Sequence, residues 1–185
     1  MLKDDKVTPH MPSGKFSVIL ADPPWYYKGG GSWAVENHYS TMKLSDIKSL
    51  KIPAADSAVL YLWATAPLLP EAIDVMQAWG FVYKSCMVWD KQHISIGYWA
   101  RGRHEMLLIG TRGKVSPPEP RLRESSVYSE KRTAHSRKPD YYYALLERQH
   151  PNGTFLELFA RRKYSSKWTV WGYEAPTDDA GTCDE

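Results

Sequence analysis

Strands alternating with helices predict a three-layer α/β protein built on a mostly parallel sheet. Three observations carry the prediction. Short apolar and β-branched runs, Phe16 to Ala21 and Ser57 to Ala64, are bounded by turn residues. A stretch of helical spacing, Leu68 to Trp79, follows the second run and closes on Gly80, a C-cap candidate. A chain of 185 residues is long enough for one domain with a sizeable core.

Taken in order, the first strand is Phe16-Ser17-Val18-Ile19-Leu20-Ala21, ended by Asp22-Pro23-Pro24-Trp25. Tyr26 to His38 contains Gly29-Gly30-Gly31 and reads as a mobile loop, because three glycines cannot hold a stable element. No Gly-Lys-Ser/Thr follows at the spacing a phosphate-binding loop needs. Leu44 to Leu50 predicts a short helix and Ser57 to Ala64 a buried strand. Phe81 to Trp89 alternates partly and predicts a third strand, residues 90–102 a loop, and Glu105 to Gly110 a further strand. Residues 111–137, rich in Pro, Ser and Arg, are expected to be irregular. Pro139 suits the first position of a helix running to about His150, and Pro151-Asn152-Gly153 is a turn. The strand Thr154 to Ala160 and a last one around Trp168 to Trp171 complete a single domain over residues 1–173. The acidic residues 174–185 read as a disordered tail.

Composition narrows the function classes. No apolar run is long enough for a transmembrane helix, and Met1 to Lys6 lacks a signal-peptide core, so a cytoplasmic setting is expected. Cys86 and Cys183 have no metal spacing, and no metal site is predicted. The net charge of +3 conceals an asymmetry: the tail holds five acids and no Lys or Arg, leaving +8 on residues 1–173. Between Arg101 and Asp140 ten Lys or Arg face five Asp or Glu. A basic stretch with interleaved aromatics suits a phosphate backbone, although a solvated loop has the same composition.

The Asp22-Pro23-Pro24-Trp25 turn is the most informative segment. It sits at the carboxyl end of a strand, where open α/β sheets bind ligands. Two prolines fix φ and remove both N–H donors, so their carbonyls are expected to stay stiff and without a local donor. An acidic oxygen, rigid carbonyls and an indole suit a flat ring with an exocyclic amine, and adenine is such a group.

The run Gly14 to Trp25 is followed by Tyr39-Ser40-Thr41-Met42, Leu60-Tyr61-Leu62-Trp63, Trp79-Gly80-Phe81, and Glu105 before Leu107-Leu108-Ile109-Gly110. Then come His135-Ser136-Arg137-Lys138-Pro139-Asp140, Leu156-Glu157-Leu158-Phe159-Ala160-Arg161 and Trp168-Thr169-Val170-Trp171-Gly172. In this order the segments resemble the MT-A-type N6-adenine methyltransferases, the family of the catalytic subunit of eukaryotic mRNA adenosine methylases. The likeness spans roughly residues 14–174. It implies a Rossmann-like fold, S-adenosylmethionine as methyl donor, and a permuted order with the amine motif before the cofactor strand.

The resemblance also implies roles. Asp22, Pro23, Pro24 and Trp25 form the catalytic turn; by the chemistry of the residues themselves, Asp22 and the Pro23 carbonyl are expected to accept the amine N–H groups and Trp25 to stack on or wall off the base. The cofactor falls to Ala21, Asp22, His135, Ser136, Lys138, Glu157, Phe159, Arg161 and Tyr173. Lys138 is expected near the methionine carboxylate, with a solvated first-turn lysine as its plain alternative. Tyr173 and Glu174 stand where eukaryotic members carry amides. Lys28, Arg101, Arg103, Arg121, Arg123, Lys131 and Arg132 are the expected nucleic-acid contacts. DNA is the favoured substrate, RNA its nearest rival, and a silent nucleic-acid-binding subunit the rival from another class. No obligatory partner subunit is implied, and a monomer or homodimer is expected.

Overall fold

Ile19, Leu60 and Leu156 lie side by side in three neighbouring strands, all fully buried. Around them a seven-stranded sheet forms from β1 (Phe16–Ala21), β2 (Ala54–Ala64), β3 (Val82–Asp90), β4 (His104–Arg112), β5 (Val127–Ser129), β6 (Phe155–Leu158) and β7 (Trp168–Trp171). The computed structural model describes residues 9–26, 41–95, 97, 99–133 and 137–176. Lys28 and the three glycines, His135 and Ser136, and the tail beyond Pro176 are outside the described residues.

The sheet order is β5-β3-β4-β2-β1-β6-β7. Every strand points the same way except β4, which pairs antiparallel with both β2 and β3. The centre of the sheet is apolar on both faces: Ala58 to Ala64 is buried throughout, as expected for strands covered by helices on two sides. One face packs against α1 (Leu44–Ser49) and α2 (Leu69–Ala78), where Ile47, Ala72, Val75 and Met76 are fully buried. The other packs against α3 (Asp140–Gln149) through Tyr142, Tyr143, Leu145 and Leu146. This is the three-layer Rossmann-like arrangement expected from the sequence.

The chain leaves β1 toward β2 on one side and returns from α3 into β6 on the other. β1 and β6 therefore flank the topological switch point, where a crevice opens outside the carboxyl ends of the strands. Asp22 and Phe159 stand at that crevice.

Two sequence readings are corrected. The stretch 111–137 is not wholly irregular, because β5 pairs parallel with β3 through Val88↔Val127 and Asp90↔Ser129. Three residues among Arg, Glu and Ser carry too little alternation to reveal such a strand. The helix expected to begin at Pro139 opens at Asp140, with Pro139 extended (φ −59°, ψ 137°) just before it.

Candidate active site

Alternation along β1 decides which side chains meet at the crevice. Val18 and Leu20 face α3, while Ile19 and Ala21 face α1 and α2. Leu20 and Asp22 thus line a cleft of about 180 Å³ on the α3 face, together with Trp63, Arg137, Lys138, Tyr143, Glu157, Phe159, Arg161 and Arg162. Ala21, expected at the cofactor, turns its fully buried methyl to the opposite core.

Lys138 is buried, not a solvated first-turn residue. Its Nζ lies 2.5 Å from Asp22 Oδ2 and 3.3 Å from Glu105 Oε2, and 5.3 Å from the centre of the Trp63 ring. Glu105 in turn holds Lys91 at 3.1 Å. The result is a ladder of alternating charge, Asp22–Lys138–Glu105–Lys91. Burial alone would depress the Lys138 ammonium, but Asp22 and Glu105 carry it above the ordinary lysine value. Burial raises the Asp22 carboxyl above the usual range, with Lys138 opposing the shift. For Glu105 burial acts upward too, yet Lys138 and Lys91 outweigh it and hold the carboxyl low.

Glu157, on β6, faces the same cleft. Its Oε1 accepts a 2.6 Å hydrogen bond from the Tyr143 hydroxyl, while Oε2 is buried without a partner. Burial pushes this carboxyl up to about 7. Beyond β6 the chain turns sharply at Phe159 (φ 62°), and Ala160 N–H donates to Trp171 O at 2.9 Å. Gly172 is required at this contact, since a Cβ there would meet the Ala160 backbone N and O at 2.8 Å. Arg162 pairs with Asp140 and lies over the Tyr143 ring, 5.1 Å from its centre; Arg161 is 3.7 Å from Glu174.

The tryptophan of the turn is placed differently from the expectation. Trp25 is only 8% exposed, belongs to the core on the α1–α2 face, and donates its Nε1–H to Trp63 O at 3.2 Å. This burial goes against stacking on a base, though not against walling one off, and the bond to Trp63 anchors the turn. Nor are the proline carbonyls without local donors. Pro23 O accepts from Trp25 N–H at 2.8 Å, and Pro24 O accepts from Met42 N–H at 2.9 Å. Tyr173 lies outside the cleft wall, carried to the surface by a turn in which Ala175 N–H donates to Gly172 O.

The basic stretch divides between two edges of the sheet. Arg101, Arg103, Lys131 and Arg132 follow β3 or β5, or precede the reversed β4, and so share the Asp22 edge. Arg103 is committed to Asp90 through bonds of 2.6 and 2.8 Å, which hold that carboxyl well below its usual range. Arg121 and Arg123 precede β5, so the parallel β3–β5 pairing puts them at the opposite edge. Arg121 pairs there with Glu119 at 2.7 Å, and Arg123 donates to Pro118 O and lines a separate cleft. The topology thus separates Arg121 and Arg123 from Arg101, Lys131 and Arg132 by the length of the strands.

Trp63, Tyr143, Arg162 and the Glu105–Lys91 pair were not singled out from the sequence as site residues. Tyr143 had a readable signal: it is one helical turn after Asp140 and so shares its face of α3.

A family model described as MT-A70 matches residues 16–174. The chain belongs to the MT-A70 family. It is 32% identical to the type II methyltransferase M.MunI of Mycoplasma sp over 93% of its own length and 83% of that protein. It is 30% identical to the N(6)-adenosine-methyltransferase catalytic subunit METTL3 of Homo sapiens over 86% of this chain and 28% of that one. A putative MT-A70-like N(6)-adenosine-methyltransferase of Medicago truncatula is 32% identical over 80% of this chain, which spans 24% of that relative. The chain thus covers about a quarter of the eukaryotic relatives it matches. MT-A70 methyltransferases take their methyl group from S-adenosylmethionine, and this chain is an enzyme of that class.

Proposed function

We propose that this MT-A70 protein transfers a methyl group from S-adenosylmethionine to the N6 amine of adenine in DNA. One observation carries the reading: Asp22 stands at the switch point in the same cleft as Glu157, with Lys138 fixing one of its oxygens at 2.5 Å. The M.MunI relative, matched over most of both chains, supports DNA.

The residues of the cleft fit the donor. Glu157 Oε2, buried and unpartnered, suits a ribose hydroxyl, and Lys138, Arg161 and Arg162 suit a carboxylate. When bound, S-adenosylmethionine supplies an electrophilic methyl on a positively charged sulfur. The protein's work is then placement and exclusion of water. With Lys138 on Oδ2, the other Asp22 oxygen accepts one N–H of the amine. The Pro23 carbonyl, which uses one lone pair for Trp25 N–H, has a second for the other. Both bonds hold the amine so that its lone pair points out of the ring plane. The proton that the methylated nitrogen must lose has Asp22 within reach, a carboxyl already raised by burial.

The test is transfer of tritiated methyl to unmethylated DNA and to RNA, followed by nucleoside analysis. N6-methyladenine is expected in DNA, with Asp22→Asn at least about 100-fold slower. Label on cytosine, or none on any nucleoside, sinks the reading. The METTL3 relative favours RNA as the second reading, and label confined to RNA would establish it.

A further inference from the structure

Seven of the eight tryptophans lie among the described residues. Six of them are at most 8% exposed, whereas Trp99 has its whole ring in solvent. It sits in the loop joining β3 to β4, whose base is closed by hydrogen bonds. Lys91 N–H donates to Arg103 O at 2.9 Å, and Ser95 reaches Gly102 O through both its N–H (2.8 Å) and its hydroxyl (2.6 Å). Beyond that clamp, Ala100 O comes so close to Gly97 that a Cβ there would lie 2.0 Å from it. Only glycine fits this close approach, two residues before Trp99.

The base of the loop is tied to the reaction centre. Lys91, its first residue, is the outer rung of the ion ladder that runs through Glu105 and Lys138 to Asp22. The tip therefore projects from the same edge of the sheet as the methyl-transfer cleft. The surface there suits a polyanion: Arg101, Lys131 and Arg132 are exposed, while Asp90 and Glu105 are neutralised by Arg103 and Lys91. Ile94, half exposed on the same loop, adds a second apolar group.

An adenine whose amine must reach Asp22 cannot stay paired in a duplex; it has to leave the stack. The gap it vacates costs stacking, and an aromatic or apolar side chain inserted there offsets that cost. Resting on the DNA reading above, we propose that Trp99 enters the duplex beside the target adenine and occupies the space the flipped base leaves. Trp99 is then a positioning residue, and Arg101 holds the neighbouring phosphate.

The test compares the full chain with Trp99→Ala and Trp99→Phe, using one unmethylated genomic DNA in native and heat-denatured form, so no recognition sequence need be known. The readout is the ratio of kcat/KM on duplex to that on single strand. Trp99→Ala is expected to lower the ratio at least about tenfold, and Trp99→Phe to recover most of it. An unchanged ratio in Trp99→Ala, with wild type active on both forms, overturns the wedge alone. An unchanged ratio with sedimentation showing lost self-association overturns it in favour of a contact with a second copy. Wild type without transfer to either DNA form defeats the substrate reading, and the wedge with it.

Discussion

Asp22 and Lys138 are 116 positions apart in the chain and 2.5 Å apart in space, and each favours the charged form of the other. Removing Lys138 leaves a half-buried carboxylate with Glu105 as a repelling neighbour. Asp22 accepts from the amine only when ionised, so kcat/KM falls as pH drops through its pKa. In Lys138→Met that acid limb is expected to move to higher pH, on top of a loss in rate. A pH–rate profile with the limb unmoved would show that Lys138 does not set the charge on Asp22. Glu157 gives a prediction on stability. Its folded value of about 7 is above the ordinary 4.5 of an exposed glutamate in the unfolded chain, so the folded state binds more protons between those values. The stabilising contribution is complete below about pH 4.5 and is lost as pH rises through 7. Glu157→Gln keeps an acceptor for the Tyr143 hydroxyl and removes the titration. Relative to wild type it should gain roughly 2–3 kcal/mol between pH 5 and pH 8, read as the difference in urea midpoints. A parallel pH dependence in the two proteins would reject the assignment.

The turn from β6 to β7 is an element whose shape depends on one missing side chain. Nine residues return the chain to a parallel neighbour without a helix, and in that space they place Phe159, Arg161 and Arg162 on the cleft. Gly172→Ala forces a methyl against the Ala160 backbone, which cannot yield as a flexible side chain would. We expect a loss of about 1–3 kcal/mol, and weaker binding of S-adenosylmethionine by calorimetry because the Phe159–Arg162 turn must move. Undiminished affinity in a destabilised protein would separate the turn from the cofactor. Elements of this kind also mark how far sequence reasoning reached. Strands covered on both faces, such as β1 and β2, announce themselves as unbroken apolar runs, and the turn at the end of β1 pointed to Asp22, whereas Lys138 and Glu157 were reached through the family resemblance. The face that Trp25 takes was not legible, because prolines break the alternation that would have assigned it. Nor was the ion ladder, since a buried Lys138 is specified by Glu105, Trp63 and Asp22 on three separate strands or their ends.

For the molecule as a whole, topology decides which charges work together. A linear count of cations between Arg101 and Asp140 treats them as one patch, but a short β5 in the middle of that stretch sends its two ends to opposite edges of the sheet. Arg101, Lys131 and Arg132 share the edge that holds Asp22; Arg121 and Arg123 do not. If DNA lies across the Asp22 edge, each phosphate contact there releases counterions and adds roughly 0.9 to the slope of log affinity against log salt. Replacing Arg101, Lys131 and Arg132 together by Ala is expected to flatten that slope by about 2–3. The pair Arg121→Ala and Arg123→Ala should leave it unaltered, because these two guanidiniums point away from the bound strand and are already engaged by Glu119 and Pro118 O. Anisotropy titrations of a labelled duplex over about 50–200 mM salt measure both slopes in one series. Equal flattening by the two sets would mean that the duplex wraps both edges, and a slope unmoved by either would place the phosphate contacts elsewhere on the protein.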